Sequence, residues 1–213
     1  MAAMRVRPVS FAALVDELAD RFAGQQPGRR LRVAVDGPPP AAPGLLADAL
    51  VDPLRVRGRA AVRVSAGDFL RPASVRLEFG RTDPDAFYHG WFDEAALRRE
   101  VLEPAGPGGT GTIVTTLWDP ETDRATREPY STLPPSAVIL MDGPLLLGAG
   151  LPFDATVHLQ LSQAALRRRA EPHLRWSLPA YERYAAEVAP ASFADVVVRW
   201  DDLRHPAVVE DPS

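Results

Sequence analysis

The chain has 213 residues, of which 46% are hydrophobic, and its 24 basic and 28 acidic residues give a formal net charge of −4. Every basic residue is arginine, and cysteine is absent, which excludes disulfides, thiolate metal sites and a cysteine nucleophile. A chain of this length can bury a substantial core, and its charge gives no indication of a nucleic-acid partner.

No apolar stretch in the sequence approaches the length of a membrane span; the continuous run Val138–Met141 is far too short. Asp and Glu occur within the first predicted helix, unlike in a signal peptide. We therefore expect a cytoplasmic protein with no membrane or nucleic-acid partner, and we expect residues 1–213 to form one domain. A homo-oligomer is left open.

The first half of the chain alternates helical and strand patterns. Ser10 can cap a first helix whose apolar residues follow the 3.6-residue period. The alternating, β-branched run 31–35 predicts a core strand, and the apolar spacing over about 44–57 predicts a helix that Pro53 should bend or divide. A second strand is predicted over 60–65.

The second half continues the alternation after an irregular, charged stretch. The remaining predicted elements are a helix at 92–102, a β-hairpin with strands 112–118 and 126–130, strands at 137–141 and 155–161, a helix capped by Ser162, a Tyr-rich helix at 179–188 and a last strand at 194–198. This order predicts an α/β fold with a doubly wound, mostly parallel sheet.

The loop between the first core strand and its helix resembles a P-loop in position but not in chemistry. In the pattern G-x-x-x-x-G-K-[ST], Gly37 keeps its place, whereas Ala42, Pro43 and Gly44 stand where the second glycine, the lysine and the hydroxyl residue belong. The four prolines at 38–40 and 43 also lack the N–H groups that form an anion nest. A Pro-rich turn with no nucleotide ancestry is the alternative interpretation.

Two carboxylates follow predicted parallel strands. Asp68 lies just beyond the strand at 60–65, and Asp142 ends the strand at 137–141. Because ligands bind at the carboxyl ends of such strands, we expect both to face the crevice at Gly37. His158, inside an apolar strand, is instead predicted to be a packed, hydrogen-bonded core residue.

Several segments between Leu31 and Val198 occur in the order found in one family. They are Val33–Gly37, Ser65–Phe69, Asp83–Tyr88, the hairpin at Trp118-Asp119, Met141–Gly143, Leu166–Arg169 and Ala194–Val198. Together they resemble the uridine kinase family of P-loop nucleoside kinases, in its short bacterial form. The resemblance implies a nucleoside-kinase fold with a small β-hairpin insertion at about 112–130 and a helical lid at about 163–188.

The resemblance also shows where this chain departs from an active kinase. In the family, an aspartate after the second strand takes the proton from the sugar hydroxyl; that position is Gly67 here, with Asp68 next to it. A later Arg-Asp pair of the family appears as Pro172-His173. The resemblance places a nucleoside near Tyr88 and His89, and lid arginines over the phosphates.

The candidate site residues form two groups. The candidate catalytic residues are Asp68, His89 and Asp142, and the candidate ligand-binding residues are Gly37, Tyr88, Arg168 and Arg169. Of Arg167, Arg168 and Arg169, one or two should face solvent because three consecutive helical residues cannot share one direction. No metal site is predicted.

Three functions are compatible with these residues. We favour a uridine kinase-like protein with a degenerate phosphate-binding loop that binds a nucleoside-like or other small ligand and is not an efficient kinase, since each missing donor costs about 10² to 10³ in rate. The alternatives are a repurposed enzyme that uses the acid/base residues without ATP, and an active nucleoside kinase with an unusual phosphate site. ATP and Mg²⁺ are expected as cofactors only in the last case.

Overall fold

A computed structural model describes residues 5–210. Its strands are β1 (Arg5–Pro8), β2 (Leu31–Asp36), β3 (Ala61–Ser65), β4 (Thr112–Ile113), β5 (Trp118–Asp119), β6 (Arg124–Ala125), β7 (Ser131–Thr132), β8 (Val138–Gly143), β9 (Ala155–Gln160), β10 (Val196–Arg199) and β11 (Ala207–Glu210). Its α-helices are α1 (Phe11–Gly24), α2 (Pro43–Val56), α3 (Ala73–Arg76), α4 (Pro84–Gly90), α5 (Glu94–Leu97), α6 (Glu103–Ala105), α7 (Gln163–Arg169) and α8 (Leu178–Glu187). Within residues 5–210, no helix is both long and apolar enough to cross a membrane.

Seven strands form a central sheet in the order β1-β11-β10-β9-β2-β8-β3. The five strands from β10 to β3 run parallel to one another. At one edge β11 lies antiparallel to β10, and β1 lies antiparallel to β11. The predicted α/β fold with a mostly parallel sheet is therefore confirmed. The order brings the carboxyl ends of β2, β8 and β3 together at one edge of the sheet.

Helices cover both faces of the sheet. The central strand β2 is buried at all six positions, as expected for a parallel strand between two helical layers. On one face, α1 and α2 pack against it around Phe22 and Leu50. On the other, the segment from α5 to α6 and helix α8 pack around Leu97 and Tyr184. Ser10 caps α1 as predicted, because its hydroxyl accepts a bond from the Ala13 amide at 3.1 Å.

Several predicted elements differ in the structure. The prediction of β10 as the last strand is wrong, because β11 follows it and pairs with it antiparallel, and β1 pairs with β11 from about 200 positions away. Each of these edge strands has only four residues, so neither has a long hydrophobic pattern. Helix α2 continues through Pro53 without dividing. The stretch 71–88, expected to be irregular, contains α3 and most of α4, and Asp83 caps α4 by accepting a bond from the Ala86 amide at 2.7 Å.

The insertion is a hairpin with two short ladders. β5 pairs with β6 near the tip, and β4 pairs with β7 at the base, so the predicted hairpin is confirmed. Its second predicted strand is wrong, because residues 126–130 lie between β6 and β7. The helix predicted at 92–102 begins at Glu94 and changes to a π-helical turn over Arg98–Leu102. The segment from 163 to 187 is helical in α7 and α8, as predicted, and a 3₁₀ turn joins them.

Candidate functional site

Almost all amide groups of the loop after β2 already donate hydrogen bonds to carbonyls of the protein. Gly37 N donates to the Gly143 carbonyl at 3.0 Å, and the Ala41 and Ala42 amides donate to carbonyls within the loop at 2.7 and 2.8 Å. The four prolines at 38–40 and 43 have no N–H. From 37 to 44, only the amide of Gly44 makes no hydrogen bond within the described part of the chain.

The conformation of the loop is set by its residues. Pro39–Ala41 form a 3₁₀ turn, and Ala42 adopts a left-handed conformation with φ of 51° just before α2 begins at Pro43. Glycine reaches that conformation without the steric cost that alanine incurs. The strand, loop and helix thus keep the predicted order, with a compact turn between them.

An arginine that the sequence analysis did not single out lies at the centre of the crevice. Arg63, on β3, donates from Nε to Oδ1 of Asp142 at 2.6 Å and from Nη2 to Oδ2 at 3.1 Å. Its Nη1 donates to Oδ2 of Asp48, on α2, at 2.9 Å. The hydrogen bond with Asp142 raises the pKa of Arg63 further, which keeps it charged. One guanidinium therefore bridges two carboxylates.

The guanidinium of Arg63 lies directly against Gly44. A Cβ added at Gly44 would overlap Nη2 of Arg63 and would lie 3.1 Å from Oδ2 of Asp142. Glycine is thus the residue that lets this ion pair form at the start of α2. Asp142 occupies the crevice as predicted, but its side chain is 5% exposed and is held by Arg63.

A cleft of about 520 Å³ opens beside this ion pair. Its charged lining residues are Asp48, Arg63 and Asp142, and most of its other lining residues are apolar. Its aromatic lining residues are Phe87, Trp91, Phe92, Trp176 and Tyr181. This volume lies within the usual range of small-molecule sites, about 300 to 1,000 Å³.

The aromatic residues of the cleft form one cluster that joins α4 to the segment between α7 and α8. The ring of Phe87 is 5.1 Å from that of Trp91, 5.6 Å from that of Trp176 and 5.7 Å from that of Tyr181, all edge to face. Such pairs add to the energy of apolar burial and hold the rings in place. The cluster had no recognisable signal in the sequence, because its members are spread over 95 positions from 87 to 181.

Asp68 lies in a short 3₁₀ turn after β3, next to Gly67, which lines the cleft. Burial raises the pKa of its carboxyl group; the charge of Arg63 opposes this shift and that of Asp142 adds to it. Asp68 is therefore close enough to the ion pair to interact with it electrostatically. The structure places Asp68 and Asp142 at the same end of the sheet, as predicted.

The expectation that Tyr88 and His89 border the same pocket as Asp142 is wrong. Both line a separate cleft, of about 240 Å³, together with Glu94 and Tyr184. Arg183 lies over the Tyr88 ring, with its Cζ 4.7 Å from the ring centroid. Because successive residues of a helix point in different directions, Phe87 of α4 lines the 520 Å³ cleft whereas Tyr88 and His89 line the smaller one.

The predicted lid arginines also lie away from the 520 Å³ cleft. Arg167 pairs with Glu182 at 2.7 Å, Arg169 donates to the carbonyl of Trp200 at 2.7 Å, and Arg168 is exposed. The 163–187 segment contributes Ala170, Leu174 and Trp176 to that cleft instead, along with residues of α8. Gly37 keeps its predicted place after β2, although it is not among the residues that line the cleft.

A second residue that the sequence analysis missed is the carboxylate Asp36, at the end of β2. It is fully buried, and its two oxygens accept bonds from His158 Nδ1 at 2.7 Å and from the Leu146 amide at 3.0 Å. The prediction of His158 as a packed, hydrogen-bonded core residue is confirmed. The pair links β2, β9 and the segment after β8 behind the loop.

Two solved structures resemble most of the chain. One is described as a "possible uridine kinase" from Bacillus stearothermophilus; it is 20% identical, with a TM-score of 0.71 over 87% of this chain and 97% of that one. The other is described as a "putative fructose transport system kinase" from a Silicibacter species; it is 22% identical, with a TM-score of 0.58 over 84% of this chain and 90% of that one. No protein-family model and no curated protein matches the chain. The chain therefore has the fold of the uridine kinase-like P-loop proteins.

Proposed function

We propose that this chain binds a small, nucleoside-like ligand in the 520 Å³ cleft and does not transfer phosphoryl groups from Mg-ATP. The observation that carries the proposal is the position of Arg63. Its guanidinium lies against Gly44, where a P-loop has its metal-holding hydroxyl, and it is paired with Asp142, the carboxylate that follows β8.

The residues of the loop do not fit Mg-ATP. A triphosphate needs converging N–H donors and a cation, and the amides of residues 37–44 are absent or already bonded apart from that of Gly44. Pro43 supplies no positive charge, and the chain contains no lysine. Because phosphoryl transfer depends on positioning and electrostatic stabilisation of the phosphoryl oxygens, these losses support a function without ATP.

The walls of the cleft support a planar ligand. Aromatic rings on α4 and in the segment 172–181 offer apolar surface, and the carboxylates offer hydrogen-bond acceptors. Nucleosides combine a flat heteroaromatic ring with hydroxyl and amino donors. They match such a lining better than a polyanion does, since apolar sites with few polar groups are typical of small-molecule pockets.

A second candidate is an enzyme that uses Asp68 as an acid or base without ATP. Its support is the raised pKa of the Asp68 carboxyl group, which burial causes, since shifted pKa values are frequent at catalytic positions. Asp68→Asn would abolish such an activity and leave ligand binding in place.

The full-length protein should be incubated with Mg-ATP and with uridine or cytidine, and the formation of nucleoside monophosphate should be measured. We expect none above the background without protein. In parallel, a thermal-shift panel of nucleosides, nucleotides and sugar phosphates should show stabilisation by uncharged nucleosides and none by ATP. Turnover of about 1 to 100 per second would contradict the proposal.

A further inference from the structure

The charged side chains that line the 520 Å³ cleft have a net formal charge. Asp48 and Asp142 carry one negative charge each and Arg63 one positive charge, so the charged lining residues have a formal sum of −1. Asp68, one residue beyond the lining residue Gly67, adds a further carboxyl group nearby. The N-terminus of α2 contributes a partial positive charge of about one half, which does not cancel one carboxylate.

The guanidinium of Arg63 already pairs with two carboxylates, which compensate its positive charge. All three of its nitrogens donate to carboxylates: Nε and Nη2 to the two oxygens of Asp142, and Nη1 to Asp48. These bonds use three of the five N–H groups, so a phosphate or carboxylate that approached the other two would be repelled by both acids or would have to displace one of them. Because Asp142 is 5% exposed, displacement would leave a nearly buried carboxylate without its partner.

The carboxylate of Asp48 is the more accessible of the two. Its side chain is 60% exposed and accepts a single bond from Arg63, which leaves one carboxylate oxygen for a ligand. An ammonium group offers three donors and a positive charge to such an oxygen. The aromatic rings that also line the cleft attract cations as well as apolar rings.

We propose that the cleft selects aromatic ligands that carry a protonated amine and rejects aromatic ligands that carry an acid. This inference rests on the proposed function, since it assumes that the cleft receives a planar small molecule. It adds that this molecule is positively charged. Its flat ring packs against Trp176 and the neighbouring aromatic residues, and its amine donates to Asp48.

Three indole compounds with the same ring test this selection by titration calorimetry at neutral pH: tryptamine, which is cationic, tryptophol, which is neutral, and indole-3-propionate, which is anionic. We expect tryptamine to bind about 3- to 10-fold more tightly than tryptophol, as for a partly exposed charge pair with a cation–π contribution. Indole-3-propionate should bind most weakly. The preference for tryptamine should decrease as salt increases.

Two matched variants assign the selection to Asp48. Asp48→Asn changes the formal charge of the lining residues from −1 to 0 and should reduce the preference for tryptamine to about 2-fold or less. Asp52→Asn, on the same helix, removes an 87% exposed carboxylate that pairs with Arg55, and the preference should remain. A preference that survives in Asp48→Asn overturns the assignment.

Two other results also overturn the inference. One is binding of indole-3-propionate that is as tight as that of tryptamine or tighter, which would indicate an anion site. The other is the absence of measurable binding for all three compounds. Neither result bears on the phosphoryl-transfer assay with Mg-ATP, so the failure of this inference and the failure of the proposed function can be told apart.

Discussion

Arg63 and Asp142 form a two-point ion pair, with Nε 2.6 Å from Oδ1 and Nη2 3.1 Å from Oδ2, at the place where β3, β8 and the start of α2 meet. The pair is possible because residue 44 is glycine. A positively charged side chain of the protein thus occupies the space beside the helix start.

Arg63→Ala should destabilise the protein by about 1 to 3 kcal/mol, because it leaves the nearly buried Asp142 carboxylate without its partner. Arg55→Ala is the matched control: its pair with Asp52 is exposed, so the change should cost no more than about 0.5 kcal/mol. Urea denaturation measures both. Equal effects for the two variants would show that the Arg63 pair has no special role.

Gly44→Ser should also destabilise the protein, by about 1 to 3 kcal/mol, since the new side chain must displace the Arg63 guanidinium. Gly90→Ser is the control, because a side chain at Gly90 meets nothing within 4 Å. The double variant Gly44→Ser, Arg63→Ala should lose less stability than the sum of the single variants. Simple additivity would contradict the clash.

Asp68→Asn should change stability in a pH-dependent way. Burial raises the pKa of the Asp68 carboxyl group in the folded state, so its ionised form is disfavoured by folding. The variant should therefore be more stable than the native protein near neutral pH, by less than about 1 kcal/mol because the group is partly exposed. The gain should vanish below about pH 4, where the carboxyl group is protonated in both states. Urea titrations between these limits measure it, and a gain that grows as the pH falls would be the contrary result.

The central strand β2 and the helix α2 after its loop could be predicted from the sequence, because the patterns that indicate them are local. The β-branched run at 31–35 and the helical spacing after it depend on neighbouring residues, and both elements were found as predicted. The edge strand β1 could not, since its partner β11 lies about 200 residues away, and β11 itself is only four residues long. Long-range pairing of short segments has no local signature.

The site was only partly predictable for a related reason. The rule that ligands bind at strand ends located Asp142 correctly, since it depends on topology alone. It could not show that Arg63, in the middle of the Val-Arg-Val pattern of β3, would reach Asp142 on the neighbouring strand β8. Nor could it show that Tyr88 and His89 would turn away from the cleft while Phe87 turned toward it.

The buried pair of Asp36 and His158 should fix the tautomer of the histidine. Asp36 accepts a bond at Nδ1, so the neutral ring of His158 should carry its proton there. Long-range ¹H–¹⁵N correlation spectra at about pH 8 distinguish the two tautomers. His89, which is exposed on α4, serves as the reference ring. A neutral His158 protonated at Nε2 would show that Asp36 does not orient it.

The most direct test of the account is a calorimetric titration of the full chain with Mg-ATP. Apart from that of Gly44, the amides of the loop are absent or already donate hydrogen bonds, and Arg63 is held by two carboxylates. We therefore predict that Mg-ATP binds with a dissociation constant no lower than about 1 mM. A dissociation constant of about 1 to 10 µM that inorganic pyrophosphate abolishes by competition would contradict the account, since it would require a phosphate site at this loop.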